Sequence, residues 1–320
     1  MNNNLLLLGI ILIFAFIIIY YLVSVFLIPK PVVFIGYDKF GIREIYPSKH
    51  GGEEWFMNMD NPNDDPRTFK NPPMTRNTDG SWKISFNDNG NQQQIIPVQS
   101  SGNCCQDEVR YSVLTSSGYN TSKITINEQK LEKRGYMQSH NDWKNVEMTG
   151  YAKLISTTGS NFASTNGGWT WEARGARHVG DIPPDVCYGT SYNAHILWDT
   201  GDVRWEKEQW HAHIISTDYH SSPAISLGKF IGFKAIMYNV KLQDGKTVVN
   251  LEIWVDPNND NSWHKIYKFV DSGGWGDAGQ ECGGKPDQII TWGGPLAIFR
   301  WDEATDVDIK DFSVREIQPQ

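Results

Sequence analysis

The fold class is decided by residues 232–256, GFKAIMYNVKLQDGKTVVNLEIWVD. In its second half the side chains alternate between two faces, Val249, Leu251, Ile253 and Val255 on one and Val248, Asn250, Glu252 and Trp254 on the other. A period of two indicates a strand with one buried face. An Asp-Gly pair at 244–245 stands between this run and an extended segment at 230–242, and such pairs favour hairpin turns. The stretch therefore predicts two antiparallel strands.

The same pattern continues on both sides of this stretch. Between 143 and 154, one face carries Val146, Met148, Ala152 and Leu154. Further strands are predicted at 54–59, 82–86, 109–115, 169–178, 192–198, 209–219, 263–270, 296–301 and 307–317, the last with a bulge near Lys310 and Asp311. No helical period of comparable length competes with them. We predict an all-β fold, an antiparallel two-sheet β-sandwich or jelly roll.

The chain begins with an apolar run. Residues 5–28 are 24 consecutive residues without a formal charge, whereas roughly 20 suffice to cross the hydrocarbon core. The run is longer than the apolar part of a usual signal peptide, and no small-x-small cleavage site precedes Pro29. We predict an uncleaved N-terminal transmembrane helix, with residues 1–29 as the signal anchor, 30–50 as a stalk and 51–320 as the sandwich domain.

The orientation of this helix rests on conflicting signals. Lys30, Lys39, Arg43 and Lys49 follow the helix while no basic residue precedes it, which read literally places the domain inside the cell. Large domains can translocate regardless of nearby charge, and the sequon Asn120-Thr121-Ser122 fits an exterior location. We expect a single-pass protein of the cell membrane with an extracellular C-terminal domain.

The four cysteines are Cys104, Cys105, Cys187 and Cys282. They form no CxxC pair and have no histidine at zinc-finger spacing, so a structural zinc site is not expected. One or two disulfides would fit an extracytoplasmic protein. We prefer a Cys187–Cys282 bridge because both residues lie near glycines in predicted loops, and the sequence leaves the pairing open.

Overall charge and missing motifs exclude several function classes. The net charge is -8 and no lysine or arginine run is present, so nucleic acid is not an expected partner. A Gly-Lys-Ser/Thr phosphate loop, a Rossmann fingerprint, HExxH and GxSxG are all missing, which disfavours nucleotide enzymes, zincins and serine hydrolases. The 13 Trp, 13 Tyr and 14 Phe suit either a sheet core or stacking on sugar rings.

Three stretches carry a resemblance to a known superfamily. Residues 232–239, 251–256 and 308–317 resemble the concanavalin A-like lectin/glucanase superfamily, which implies a jelly roll with a sugar-binding face. Within it, Phe233-Lys234-Ala235 and Tyr238-Asn239 look like the YFKAGxYxQ strand of alginate-lyase-like enzymes. That likeness implies a catalytic role for Tyr238, although Ile236 replaces the Gly and Val240 the final Gln. Membrane-anchored proteins of archaea are also similar.

A polyuronate lyase needs one group that neutralises the substrate carboxylate and a base that removes the C5 proton. In the strand predicted at 169–178, alternation places Glu172, Arg174 and His178 on one side. If neighbouring strands meet suitably, Arg174 would neutralise the carboxylate, and His178 or His213 would act with Tyr238 in proton transfer. Arg174, His178, His213 and Tyr238 are the predicted catalytic residues of this alternative.

Aromatic, amide and arginine side chains are the candidates for glycan binding. Trp275 and Trp292 lie in glycine-rich loops, where burial of a ring is harder than in a strand. Folding back as loop plugs is the alternative for both. Hydrogen bonds from Asn, Asp and Arg would complement the stacking. The predicted carbohydrate-binding residues are Trp171, Arg177, Asn239, Trp275 and Trp292.

Acidic residues suggest two further hypotheses. Asp256, Asn258 and Asp260 have the alternate oxygen spacing of a calcium loop but lack the glycine and distal glutamate of an EF-hand, so a polar hairpin turn competes with a Ca²⁺ site. Glu206 and Glu208 lie on one potential strand face, as the two carboxylates of a retaining glycosidase would. An exposed charged face explains that pair more simply.

The sequence as a whole favours a membrane-anchored, extracytoplasmic carbohydrate-binding protein whose partner is a polysaccharide or glycan. Calcium is the only cofactor suggested, and neither nucleotide nor nucleic acid is expected. A polysaccharide lyase is the enzymatic alternative. A structural envelope protein without a ligand is the third hypothesis.

Overall fold

The computed structural model describes residues 36–69, 72–85, 108–115, 142–157, 167–175, 190–209, 213–223, 226, 228–276 and 288–319. Within these ranges the regular structure is β-strand, apart from one short 3-10 helix at Pro62–Asp64. The strands are β1 (Gly36–Tyr37), β2 (Arg43–Glu44), β3 (Glu54–Phe56), β4 (Thr68–Phe69), β5 (Thr75–Arg76), β6 (Trp82–Ser85), β7 (Glu108–Leu114), β8 (Val146–Thr157), β9 (Gly168–Gly175), β10 (Thr190–Leu197), β11 (Val203–Gln209), β12 (His213–Ser216), β13 (Ile231–Lys241), β14 (Thr247–Asp256), β15 (His264–Asp271), β16 (Leu296–Asp302) and β17 (Ala304–Glu316).

Fifteen of these strands form two large antiparallel sheets, as predicted, and β1 pairs with β2 in a separate two-stranded sheet. The seven-stranded sheet has the order β12-β11-β10-β9-β16-β7-β4. The eight-stranded sheet has the order β15-β14-β13-β8-β17-β6-β5, and β3 also pairs with β17. The predicted hairpin at 232–256 is β13 and β14, which pair from Gly232 opposite Asp256 to Lys241 opposite Thr247. Strand β11 was not predicted.

The core lies between the two sheets. Trp171 of the seven-stranded sheet lies with its ring centroid 4.8 Å from that of Phe233 and 5.9 Å from that of Phe312, both of which belong to the eight-stranded sheet. Such contacts across the interior are the signature of a face-to-face sandwich. The largest fully buried side chains include Trp143, Trp169, Trp171, Trp198, Trp205 and Trp301. Many of the tryptophans therefore serve the core.

The bulge predicted near Lys310 and Asp311 is confirmed. The register of β17 against β8 shifts between Lys310 and Ser313, and Asp311 has a φ of 57°. The extra residue changes the parity of the strand. As a result Phe312 and Val314 are buried in the core together with Ile309.

Residues 36–50, predicted as part of a stalk, instead pack against the outer face of the eight-stranded sheet. The backbone amides of Ile45 and Tyr46 both donate to the Glu147 carboxylate, at 3.2 Å from its Oε2. Ser48 forms an antiparallel bridge with Ile317. The segment belongs to the sandwich because its backbone amides donate hydrogen bonds to a buried carboxylate of the sheet.

Two predictions concern residues that lie outside the described ranges. The apolar segment 5–28 is one of them, and no helix among the described residues is long and apolar enough to span a membrane. All four cysteines also lie outside, so the Cys187–Cys282 pairing stays a prediction.

Candidate functional site

The outer face of the seven-stranded sheet carries an unusual set of polar side chains. Trp171 and Ala173 of β9 point into the core, as do Tyr192 and Ala194 of β10, so the residues between them face away from it. Asn193 stands opposite Glu172 on one neighbouring strand and opposite Glu206 on the other. Carboxylate, amide and carboxylate thus form a line across three strands.

A second line of side chains runs beside the first on the same outer face. His195 stands opposite Thr170 on β9 and opposite Arg204 on β11, and Arg300 of β16 stands opposite Thr170. We use the term polar patch for the residues of both lines that can accept or donate several hydrogen bonds: Glu172, Asn193, His195, Arg204, Glu206 and Arg300.

The centre of the polar patch is buried but incompletely hydrogen-bonded. Asn193 is 0% exposed and His195 is 6% exposed. In the part of the chain that the structure describes, neither amide atom of Asn193 and neither ring nitrogen of His195 has a hydrogen-bond partner. A buried polar group without a partner costs free energy, so each such group calls for an explanation. Asn193 and His195 lie next to each other on the same face.

The charged residues of the patch are paired with one another. Arg300 Nη1 lies 3.2 Å from Glu172 Oε1, and its Nε and Nη2 each lie 2.9 Å from an oxygen of Asp302. On the other side of Asn193, Arg204 Nη2 donates to Glu206 Oε1, and His195 Nδ1 lies 3.6 Å from the same oxygen. The two glutamates are therefore held in place on either side of the amide.

The ionisation of Glu206 follows from these contacts. Burial alone would raise the pKa of Glu206, but the contact with His195 and the charges of Arg204 and Arg300 outweigh burial and lower this pKa to about 2. Glu206 is an anion at neutral pH and accepts hydrogen bonds.

An aromatic ring and a small cavity border the patch. Tyr219, which follows β12, is 42% exposed, and the Arg204 guanidinium lies 4.5 Å from its ring centroid. At the opposite end, a cavity of about 10 Å³ is lined by Glu172, Ser191 and Ile298. The patch thus has an accessible aromatic rim beside its buried centre.

Of the predicted lyase residues, Arg174 and Tyr238 are described with their side chains, and these two do not lie together. Arg174 has a φ of 73°, and the pairing of β9 with β16 shifts between Leu296 and Ile298, so a bulge removes Arg174 from the face that carries Glu172. Its guanidinium is buried and donates to Asn239 Oδ1 at 2.6 Å and to the carbonyl of Ile290 at 2.9 Å.

Tyr238 lies on the outer face of the other sheet. Its hydroxyl donates to Glu252 Oε1 at 3.2 Å and lies 3.0 Å from the hydroxyl of Tyr46. Burial raises the pKa of Tyr238, so the hydroxyl stays protonated at neutral pH. His178 lies outside the described residues, and for His213 only the backbone, in β12, is described. Arg174 and Tyr238 lie on different faces of the sandwich.

The predicted sugar-stacking tryptophans are mostly enclosed. Trp171 is 1% exposed and packs in the core, where Phe233 and Phe299 lie edge-on to its ring. Trp292 is 6% exposed, and its Nε1 donates to Thr190 Oγ1 at 3.1 Å. Trp275 is half-buried and stacks on Tyr192 with an angle of 6° between the rings. The loop residues Trp275 and Trp292 fold back onto the protein. Neither Trp171 nor Trp292 has a free face.

The other two predicted binding residues are also accounted for. The Asn239 side chain accepts from Arg174 and donates from Nδ2 to the carbonyl of Thr291 at 2.7 Å, so its amide supports the sandwich end. Arg177 lies outside the described residues.

The calcium-loop residues form a hydrogen-bonded turn between β14 and β15. The buried Asp256 carboxylate accepts from the Tyr151 hydroxyl and from the Asn261 amide, each at 2.8 Å. Asn258 Oδ1 accepts from Lys229, and Asp260 Oδ1 accepts from the Ser262 amide at 3.0 Å. Within the described ranges no group of three or more His, Cys, Asp or Glu side chains could hold a metal ion. These hydrogen bonds fit the polar-turn alternative, and the Ca²⁺ site stays a prediction.

Four residues of the polar patch were not predicted: Asn193, His195, Arg204 and Arg300. A local signal existed for two of them, because Ser191, Asn193 and His195 alternate with apolar residues in a segment that was predicted as a strand. Glu206 was considered only with Glu208 as a carboxylate pair. Its relation to Asn193 depends on the pairing of β10 with β11, which the sequence did not show.

No protein-family model matches the chain, and no curated protein matches it. Among solved structures, it is similar to a protein of unknown function with a galectin-like fold from Bacillus subtilis, at 10% identity over 86% of this chain and 100% of that chain, with a TM-score of 0.41. For alginate lyase Aly36B the identity is 10% over 84% and 99%, with a TM-score of 0.38. For lectin I from Ulex europaeus the identity is 10% over 84% and 94%, with a TM-score of 0.34. At these values the similarities assign no function, which has to come from the geometry of the site.

Proposed function

We propose that this protein binds a glycan at the polar patch on the outer face of its seven-stranded sheet, and that the apolar segment 5–28 anchors it in the cell membrane with the sandwich domain outside. The observation that carries the binding proposal is Asn193, a buried amide between two carboxylates with neither of its polar atoms hydrogen-bonded by the described residues. The support for the anchor is the length and apolarity of residues 5–28.

A saccharide suits the chemistry of this patch. Carboxylates accept hydrogen bonds, an amide both donates and accepts, and sugar hydroxyl groups can do both. Glu172 and Glu206 offer fixed acceptors on either side of Asn193, and the ring nitrogens of His195 lie in the adjacent line. Tyr219 adds an accessible ring at the rim, and aromatic rings commonly pair with the apolar faces of amphipathic ligands.

Cleavage of a polysaccharide is the second candidate, and it rests on the likeness of Phe233-Lys234-Ala235 and Tyr238 to the lyase strand. The separation of Arg174 from Tyr238 on different faces weighs against it. Binding without cleavage therefore ranks first.

The test uses the full-length chain in a detergent without a sugar headgroup, applied to a glycan array. We expect retention of at least one glycan class, and we expect Asn193→Ala to weaken that binding at least about tenfold, since it removes a buried hydrogen-bonding group from the contact. The matched control is Asn250→Ala, on the outer face of the other sheet, which should bind as the wild type does.

Equal binding by Asn193→Ala and the wild type would place the glycan elsewhere. Absorbance from unsaturated products, followed in the same samples, separates binding from cleavage: product that disappears in Tyr238→Phe would select the lyase. Silence of the array and of the absorbance assay would leave a structural role.

A further inference from the structure

We infer that the polar patch selects neutral saccharides and rejects polyuronates. This inference rests on the proposed glycan binding and specifies its substrate class. It concerns the charges that an incoming sugar meets at Glu172, Asn193 and Glu206.

The first step is that the arginines of the face are already engaged. Arg300 is held on two sides, by both oxygens of Asp302 and by Glu172. Arg204 donates to Glu206. Arg110, which stands opposite Arg300 on β7, also has an interaction partner. A uronate that paired with Arg300 or with Nη2 of Arg204 would have to displace a carboxylate of the protein.

The second step is the balance of charge on the face. Among the described side chains, the acids that alternation places there are the buried Glu172, Glu208 and Asp302 and the partly exposed Glu206, against the arginines Arg110, Arg204 and Arg300. Histidine 195 adds a positive charge only when protonated, and its Nδ1 already faces Glu206 at 3.6 Å. The low pKa of Glu206 means that this acid remains charged at neutral pH. The acids outnumber the arginines among these side chains. The face therefore repels an added anion instead of pairing with it.

The third step is the chemistry of the ligand. A hydroxyl group can donate to Glu172 or Glu206, whereas an ionised carboxylate of a uronate can only accept. Placing a second anion beside a buried carboxylate is costly because the low dielectric strengthens the repulsion. A neutral sugar satisfies the carboxylates and the Asn193 amide together.

The test compares two probes that differ only at C6: β-1,4-linked mannotetraose and the β-1,4-linked mannuronate tetrasaccharide. A second matched pair, galactotetraose and the galacturonate tetrasaccharide, covers a different stereochemistry. Binding is measured by titration calorimetry on the full-length chain. We expect at least one neutral member to bind at least about tenfold more tightly than its uronate counterpart.

Charge removal supplies the second arm. Glu206→Gln removes one anion and releases Arg204, so the neutral-to-uronate ratio should fall at least about threefold. Glu54→Gln, at an exposed residue of β3 in the other sheet, is the matched control and should leave the ratio unchanged. Far-UV circular dichroism of each variant shows that the fold is retained.

The outcomes separate the two proposals. A uronate that binds as tightly as its neutral counterpart, with Asn193→Ala abolishing both, would overturn the selectivity while leaving glycan binding at the patch intact. An unchanged ratio in Glu206→Gln would also overturn it. No binding of either probe, together with silence of the glycan array, would overturn glycan binding and the selectivity with it.

Discussion

The outer faces of the two sheets both bury charged side chains, but they treat them differently. On the eight-stranded sheet, Glu147 receives Lys234 Nζ at 2.8 Å and Arg315 Nη2 at 3.1 Å, together with backbone amides of the segment 36–50. On the seven-stranded sheet, Asn193 and His195 are equally buried and have no hydrogen-bond partner among the described residues. The Glu147 carboxylate is thus satisfied by the chain itself, whereas Asn193 and His195 are not satisfied by the described residues.

This difference suggests that the outer face of one sheet serves stability and that of the other serves function. A buried ionic network that is well hydrogen-bonded holds a specific packing arrangement, in this case that of residues 36–50 on the sheet. A buried polar group left incomplete reduces stability and is retained only where it serves another role. The two faces should therefore respond in opposite ways to substitution.

The largest expected loss of stability is at the Glu147 network of the eight-stranded sheet. Lys234→Ala removes the closest cation from Glu147 and leaves a buried carboxylate with Arg315 as its only remaining charged partner among those described. Breaking one side of a buried ion pair costs about 3–5 kcal/mol. The free energy of unfolding, measured with urea, should fall by that amount.

The matched control for this variant is Lys265→Ala. Lys265 is 42% exposed and lies 3.7 Å from Glu252 on the same face. Exposed pairs contribute little, so the loss should stay below about 1 kcal/mol. Similar losses in Lys234→Ala and Lys265→Ala would show that burial does not distinguish the Glu147 network from an ordinary surface pair.

A pH dependence of intermediate size belongs to the polar patch. The folded protein holds the pKa of Glu206 at about 2 against an ordinary value of 4.5. A carboxyl with a depressed folded pKa contributes stability above pH 4.5, and this contribution is lost as the pH falls from 4.5 towards 2. The difference corresponds to roughly 3 kcal/mol.

The measurement is the stability of the wild type minus that of Glu206→Gln across pH 2 to 7. The difference should be largest near neutral pH and should shrink on acidification, since the variant has no carboxyl to protonate. A difference that stays constant over this range would mean that Glu206 is not held as an anion by its neighbours.

The sequence predicted the regular part of this comparison well. Alternation in β13, β14 and β8 identified strands whose one face is core, and the parity change between Ile309 and Phe312 located the bulge. These features are local, because a period of two and a change of parity are visible within a few residues. The prediction of an all-β fold followed from these local features.

The site could not be predicted in the same way because it depends on which strands are neighbours. Arg300 reaches Glu172 because β16 pairs with β9, although the two residues are far apart in the chain. Arg174 left its expected face because of a bulge in that same pairing. The burial of Trp292 likewise involves a residue distant in sequence. Its indole nitrogen donates to the hydroxyl of Thr190, at the start of β10.

The smallest expected change in stability is at the residue on which the functional proposal depends. Asn193→Leu replaces an amide that has no described partner with an apolar side chain of the same branching and number of heavy atoms, so it removes a desolvation penalty without breaking a hydrogen bond. The free energy of unfolding, measured with urea, should change by less than about 1 kcal/mol in either direction with an unchanged m value, while glycan binding is lost. A loss above about 2 kcal/mol would mean that the native fold already satisfies this amide. In that case the two outer faces would be alike, and the polar patch would be a second structural network rather than a binding site.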